Sequence, residues 1–196
     1  MIVMVGIPGA GKTFFAEHFA STFKAPIVNQ SRLQKTLFGE VNNSPKEVEA
    51  TDRAAQTLLN ETMKTGATIV YDGPTSSRAQ RTEITELSRK SGYTPIFVWV
   101  QTDTVEAERR ATNRKKDDGF LTRDEFNIDI KRFTAPGGHE KAVVISGKHT
   151  YASQLKIVLK TLAETREPAE DGASYRLGRI ANLGGRKSAP RRRVMG

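Results

Sequence analysis

Eight consecutive residues near the N-terminus, Gly6-Ile7-Pro8-Gly9-Ala10-Gly11-Lys12-Thr13, match the pattern G-x-x-x-x-G-K-[ST]. Each residue type has a physical task in that pattern. Glycines let the backbone curl so that consecutive N–H groups converge on phosphate oxygens. The helix that follows turns the positive end of its dipole toward the same point. Lys12 would reach the β- and γ-phosphates of a nucleoside triphosphate, and the Thr13 hydroxyl would ligate Mg²⁺. The flanks agree: the apolar run Ile2–Val5 leads in as a strand, and Phe15, Phe19 and Phe23 recur every four residues as one face of a helix leading out. A glycine-rich strand-to-helix turn that holds no ligand is the weaker reading.

The next candidate is Asp72, in Tyr71-Asp72-Gly73 at the end of a third apolar run. A carboxylate at the C-terminal end of a buried parallel strand stands on the rim where open α/β sheets bind their ligands. It reads as a Walker-B-type carboxylate holding Mg²⁺, directly or through water; an ordinary strand-end turn aspartate is the alternative. Other chemistries lack their residues. The chain has no cysteine, which excludes disulfides, thiolate nucleophiles and cysteine-ligated zinc or iron–sulfur centres. His18, His139 and His149 lie too far apart for metal-ligand spacing, and His139, in Pro136-Gly137-Gly138-His139, reads as a loop residue.

Positioning these groups requires a scaffold, and the sequence carries its pattern. Short apolar runs alternate with helix-like stretches, as in a parallel sheet covered on both faces. The runs are Ile2–Val5, Pro26–Val28, Ala67–Tyr71, Pro95–Val100 and Ala142–Ile145. Ser44-Pro45-Lys46-Glu47 predicts a capping box with proline at the first helical position, then a stripe of Val48, Ala55, Leu58, Leu59 and Met63 closed by Gly66. Ser77/Gln80, Asp103/Glu106 and Thr122/Glu125 mark further helix starts. A helix from Thr104 to Lys116 is poor in apolar residues, and a last one from Tyr151 to Ala163 presents Leu155, Val158, Leu159 and Leu162 as its buried stripe. Phe97, Trp99 and the phenylalanines of the first helix are at core spacing.

The 196 residues suffice for one α/β domain with a substantial core. A hydrophobic share of 37% is low for a globular chain and predicts a segment outside that core. Periodicity stops after Glu167-Pro168, so residues 1–166 are expected to form the domain and 167–196 an arginine- and glycine-rich tail that does not fold alone. The formal charge of +9 divides accordingly. Residues 172–196 hold seven basic residues (Arg176, Arg179, Arg186, Lys187, Arg191, Arg192 and Arg193) and no acidic one, while 1–171 hold 24 basic and 22 acidic, a net of +2. Such a tail favours polyanions through counterion release, nucleic acid first and a membrane surface or acidic protein second. The run Ile96–Val100 is far short of a membrane span, and a glycine-rich loop follows Met1–Val5 where a signal peptide needs its cleavage site. The expectation is a soluble, cytoplasmic protein.

Together the loop, Asp72-Gly73-Pro74-Thr75-Ser76-Ser77-Arg78-Ala79-Gln80-Arg81 and Arg110-Ala111-Thr112-Asn113-Arg114 resemble the P-loop kinase group that includes polynucleotide kinases and zeta-toxin-like kinases, an AAA-type ATP-binding kinase domain. The resemblance covers about residues 1–150. It implies a nucleoside-kinase-like three-layer sandwich with a five-stranded parallel sheet, and transfer of the γ-phosphate of ATP to a hydroxyl with Mg²⁺. It also implies that Arg114 contacts the ATP phosphates during transfer, with Arg110 beside it. Their spacing of four puts both guanidinium groups on one helix face, able to clamp a phosphate; a solvated basic helix face is the plainer alternative. Lys115-Lys116-Asp117-Asp118-Gly119 suits a loop that opens and closes. Arg78 and Arg81 stand at the offsets of further family arginines, with a surface role equally open.

One position departs from the family. Polynucleotide kinases and zeta toxins place an aspartate after the second strand to accept the proton of the acceptor hydroxyl, with an arginine three residues on. Here the stretch is Val28-Asn29-Gln30-Ser31-Arg32-Leu33-Gln34, so Ser31 holds the base position and Gln34 the arginine position. A serine hydroxyl is no base at neutral pH, and loss of a general base costs about 10²–10⁴ in rate. Phosphoryl transfer depends mostly on positioning and charge neutralisation, so in one reading it survives slowly. In another, Asp52 or Glu49 takes the role; in a third, the domain only binds or hydrolyses ATP. Arg32 is a candidate contact for an acceptor phosphate. Three functions compete: a 5′-hydroxyl polynucleotide kinase whose tail holds nucleic acid, a small-molecule kinase for a metabolite or nucleoside, and a non-catalytic ATP-binding module docked by its basic tail.

Overall fold

The apolar alternation becomes the two faces of one sheet. In a computed structural model, which describes residues 1–113 and 121–165, five strands run parallel: β1 (Ile2–Val5), β2 (Ile27–Asn29), β3 (Val70–Asp72), β4 (Ile96–Gln101) and β5 (Val143–Ser146). Their order is β2-β3-β1-β4-β5. Ile2 and Met4 of β1 pack on one face with Val98, Val100, Val143 and Ile145, beneath Phe15 and Phe19 of α1 (Lys12–Phe23) and Val158 of α7 (Tyr151–Thr165). Val3 and Val5 pack on the other with Val28, Ile69 and Phe97, beneath Ala55, Leu59 and Met63 of α3 (Pro45–Met63) and Ile84 of α4 (Arg78–Lys90). Each of these fully buried large side chains contributes about 1.5–3 kcal/mol. The three-layer, all-parallel arrangement is the expected one, and contacts group Met1–Ala163 into one compact unit.

A small third cluster joins two further helices. Ala107 and Ala111 of α5 (Thr104–Thr112) and Phe126 of α6 (Arg123–Arg132) are buried together, with Ile7, Leu121 and Ile130 against them. Among the described residues, no helix is long and apolar enough to cross a membrane.

Caps form where the sequence places them, with local changes. Ser77 and Thr122 make full reciprocal boxes with Gln80 and Glu125. Ser44 accepts from the Glu47 N–H, but the Glu47 carboxylate turns to the Asn42 N–H at 2.9 Å. Asp103 caps α5 alone, because Glu106 is occupied by two arginines.

Four apolar expectations fail, each for a geometric reason. The buried line of α3 is Thr51, Ala55, Leu59 and Met63, at strict four-residue spacing, which leaves Val48 and Leu58 exposed on its flanks. Thr51 tolerates burial by donating to the Glu47 carbonyl at 2.8 Å. In α7 the buried line passes through Gln154 and Val158, and Leu159 is exposed. Phe23 is the last residue of α1; exposed, it stacks on Phe19 with ring centroids 4.5 Å apart. One element was missing from the sequence pattern. Helix α2 (Gln30–Phe38) buries none of its residues fully; Leu33 packs partly buried against the core, and the helix's apolar signal is a short Leu33/Leu37 pair. Finally, α5 runs over Thr104–Thr112 with Asn113 as its cap, and the rest of the stretch expected up to Lys116 lies outside the described residues.

Candidate active site

The ends of β1, β2 and β3 bring the first candidates together. Gly6–Gly11 curls between β1 and α1, and Gly9 adopts a left-handed φ of 74°. A Cβ there would lie 2.0 Å from the Ala107 carbonyl oxygen, so only glycine lets α5 press onto the loop. Ala10 is fully buried, and its carbonyl accepts from the Thr102 hydroxyl at 2.9 Å. The Lys12 ammonium donates back to the carbonyls of Gly6 (2.8 Å) and Ile7 (3.0 Å). The loop is thus held in its curled form from three sides.

Asp72 faces this loop. Its Oδ2 accepts from the Thr13 hydroxyl at 2.7 Å and from the Asn29 side-chain amide at 2.8 Å. Strand register explains the second bond, since Asn29 of β2 lies directly opposite Asp72 of β3. Asn29 also caps α2, its Oδ1 accepting from the Arg32 N–H at 2.7 Å. One side chain therefore ties the carboxylate to the helix start, a link that no periodicity in the sequence signals. The Thr13 hydroxyl and the Asp72 carboxylate are hard oxygen donors in mutual contact, a pair suited to Mg²⁺ with phosphate and water oxygens completing its shell.

The remaining candidates scatter. Ser31 and Arg32 are exposed on the first turn of α2, and Arg78 is exposed at the first position of α4. Arg81 is neither a surface residue nor a site residue. At 1% exposure it grips Glu140 through Nε (2.6 Å) and Nη2 (3.2 Å), while Nη1 donates to the carbonyls of Thr75 and Thr134, both at 2.9 Å. The guanidinium holds the Glu140 carboxyl below its usual range. Asp52 accepts from the Gln30 side chain, one residue before Ser31, and is close enough to Tyr71 to act on its hydroxyl, whereas Glu49 pairs with Arg53. His139 sits in a 3-10 turn, Gly138–Glu140, as a loop residue.

Arg110 lies closer to the loop. Its Nη1 donates to the Gly147 carbonyl at 3.0 Å, and a Cβ on Gly147 would fall 2.1 Å from the Ala10 carbonyl. Its Nε pairs with Glu106 at 2.8 Å. Hydrogen bonds from Arg109 and Arg110 hold the Glu106 carboxyl down to about 2. Arg114, the 115–119 stretch and the 167–196 tail lie outside the described residues.

Two features of the cleft carried no sequence signal. Tyr71 is pushed up to about 12 by burial and by the neighbouring Asp52, Glu83 and Asp72 carboxylates. Asp129 and Phe133, from and just after α6, reach the loop and line a cavity of about 140 Å³ with Gly6, Pro8, Lys12 and the Gly73–Ser76 segment. Their distance in sequence from the glycine loop hid them.

An all-parallel sheet with a glycine-rich loop after its central β1 and a carboxylate ending the neighbouring β3 defines a kinase-like P-loop fold, one that binds nucleotides. A family model described as an AAA domain matches residues 1–136, and the chain belongs to that family. No protein of curated function matches it. Solved structures share the fold at low identity. A gluconokinase from Sinorhizobium meliloti 1021 is 17% identical with a TM-score of 0.60, the match covering 83% of this chain and 91% of that one. Kti12 from Chaetomium thermophilum, in complex with ADP-AlF3, is 16% identical with a TM-score of 0.64 over 85% of this chain and 99% of that one. A chain of the Pnkp1/Rnl/Hen1 RNA repair complex is 20% identical with a TM-score of 0.59, covering 67% of this chain and 42% of that one. At these identities the likeness is one of fold.

Proposed function

We propose that this protein is an ATP-dependent phosphotransferase that moves the γ-phosphate to a hydroxyl, with the 5′-hydroxyl end of a polynucleotide as acceptor. The observation that carries the reading is the 2.7 Å contact of Thr13 with Asp72 beside the curled loop. In this role the N–H groups of Gly6–Thr13 hold the β- and γ-phosphates. Lys12 exchanges the carbonyls of Gly6 and Ile7 for phosphate oxygens. Thr13 and Asp72 hold Mg²⁺, which when bound neutralises charge on those phosphates. Arg110, anchored by Glu106 and Gly147, supplies positive charge from the α5 side, and the family resemblance gives Arg114 the same task.

Two features support a polynucleotide acceptor: the seven basic residues of 172–196, and the fold shared with a chain of an RNA repair complex. Gluconate is the natural comparator, since a gluconokinase shares the fold as well. With γ-labelled ATP and Mg²⁺, the expected result is label on a 5′-hydroxyl oligonucleotide and not on gluconate. Lys12→Ala lowers that transfer by about 10²–10³. Removal of residues 172–196 raises the oligonucleotide KM and leaves the KM for ATP unchanged. Label on gluconate, or label on the oligonucleotide that persists in Lys12→Ala, overturns the proposal.

A further inference from the structure

A hydroxyl that attacks a phosphoryl group must lose its proton, and the family's position for the acceptor is Ser31, exposed on α2 and no base at neutral pH. The cavity at the phosphate loop offers another group. Its three walls are the loop (Gly6, Pro8, Lys12), the Gly73–Ser76 segment that follows Asp72, and α6 with Asp129 and Phe133. At about 140 Å³ it has room for a phosphoryl group beside an attacking hydroxyl. Asp129 is the one carboxylate among the lining residues.

The other acidic side chains nearby do not line this cavity, and each already accepts a hydrogen bond. Asp72 takes two hydrogen bonds on Oδ2, Asp52 takes the Gln30 amide and Glu49 takes Arg53. The Asp129 carboxylate accepts no hydrogen bond among the described residues and is half-buried. Lys12 faces it from the loop, and Arg132 and Glu125 face it from α6 itself; the Gly73–Ser76 wall contributes no ionisable side chain. Asp129 thus lines the same small cavity as Lys12, the residue that the reading above puts on the γ-phosphate.

We propose that Asp129 is the proton acceptor for the acceptor hydroxyl in this protein. The inference rests on the phosphotransferase reading above. In the step, the acceptor oxygen forms its bond to the γ-phosphorus while its proton passes to an Asp129 carboxylate oxygen. The bond from the γ-phosphorus to the β,γ-bridging oxygen breaks, and its electron pair leaves with ADP. Asp129 then releases the proton to water. Burial lifts the Asp129 carboxyl above the ordinary aspartate value, with Arg132 and Lys12 pulling the other way, and a base nearer neutrality is the better proton acceptor.

The test uses the full chain, γ-labelled ATP, Mg²⁺ and a 5′-hydroxyl oligonucleotide, with Asp129→Asn beside the wild type across pH. The expected result is a fall in kcat of about 10²-fold or more at an unchanged KM for ATP. The acid limb of the wild-type profile, present because Asp129 must be ionised, disappears in the variant. Both proteins use the same ATP, so a limb that vanishes belongs to the side chain. Asp129→Ser, smaller than aspartate, gives the same readout if asparagine disturbs α6. An unchanged kcat overturns the inference alone, as does a lowered kcat with the acid limb intact. A lower KM for ATP at constant kcat also overturns it, since the carboxylate then only repels phosphate. A wild type that binds ATP and transfers to neither oligonucleotide nor gluconate overturns the phosphotransferase reading, and this inference with it.

Discussion

Around the phosphate loop, Gly9 abuts the Ala107 carbonyl, Ala10 is bonded to Thr102 and Thr13 to Asp72, whereas α2, across the sheet end, buries none of its nine residues. One side of the cleft is fixed from several directions by contacts within the chain itself. The other has no fully buried side chain and is held by the Asn29 cap, the Gln30–Asp52 hydrogen bond and Leu33, which packs partly buried on the core. Binding a polyphosphate by backbone N–H groups needs donors already in place, because their reorganisation subtracts from binding. An acceptor side can instead take its final shape from the acceptor, as substrate-induced closure does in other enzymes.

Three substitutions probe this contrast, in falling order of effect. Gly9→Ala drives a Cβ into the Ala107 carbonyl at 2.0 Å and forces a left-handed φ on alanine. The expected outcome is loss of ATP binding by about 10²-fold or more, read by calorimetric titration, since relieving such overpacking costs about 1–3 kcal/mol and the loop shifts as well. If binding survives, the loop is not fixed by α5. Asn29→Ala, at the junction, removes both the α2 cap and a donor to Asp72, and is expected to cost about 1–2 kcal/mol in chemical denaturation. A cost below about 0.5 kcal/mol would mean that α2 and Asp72 are not coupled. Ser31→Ala, on the exposed first turn of α2, is expected to change stability by less than about 0.5 kcal/mol and to leave kcat within about twofold. A large loss of kcat would return the acceptor chemistry to α2.

Much of this architecture was legible in the sequence because local patterns encode it. The P-loop pattern, the five apolar runs and the reciprocal caps at Ser77 and Thr122 are all short-range signals. What escaped is what only folding brings together. Asn29 meets Asp72 through strand register, and Asp129 reaches Lys12 across more than half the chain. Helix α2 escaped for the opposite reason: with no fully buried residue, its apolar signal shrinks to the Leu33/Leu37 pair. Arg81 was misread because an arginine's offset from a motif does not reveal whether it points outward or into the protein.

That buried arginine has a consequence for how the chain can be divided. Its guanidinium is bound by the carbonyls of Thr75 and Thr134 and neutralised by Glu140, 59 residues downstream. Thr134 in turn donates its N–H to the Ser76 carbonyl at 2.8 Å, stitching the end of α6 to the segment after Asp72. On the ribosome, α4 emerges long before its counter-charge. Until Glu140 and β5 have followed, seating α4 would bury a cation with no anion, an arrangement that costs about 3–5 kcal/mol where measured. The family likeness ends at residue 136, but the cooperative unit does not. A fragment cut there would carry the whole phosphate loop and Asp72, yet lack the charge that lets α4 close over the sheet.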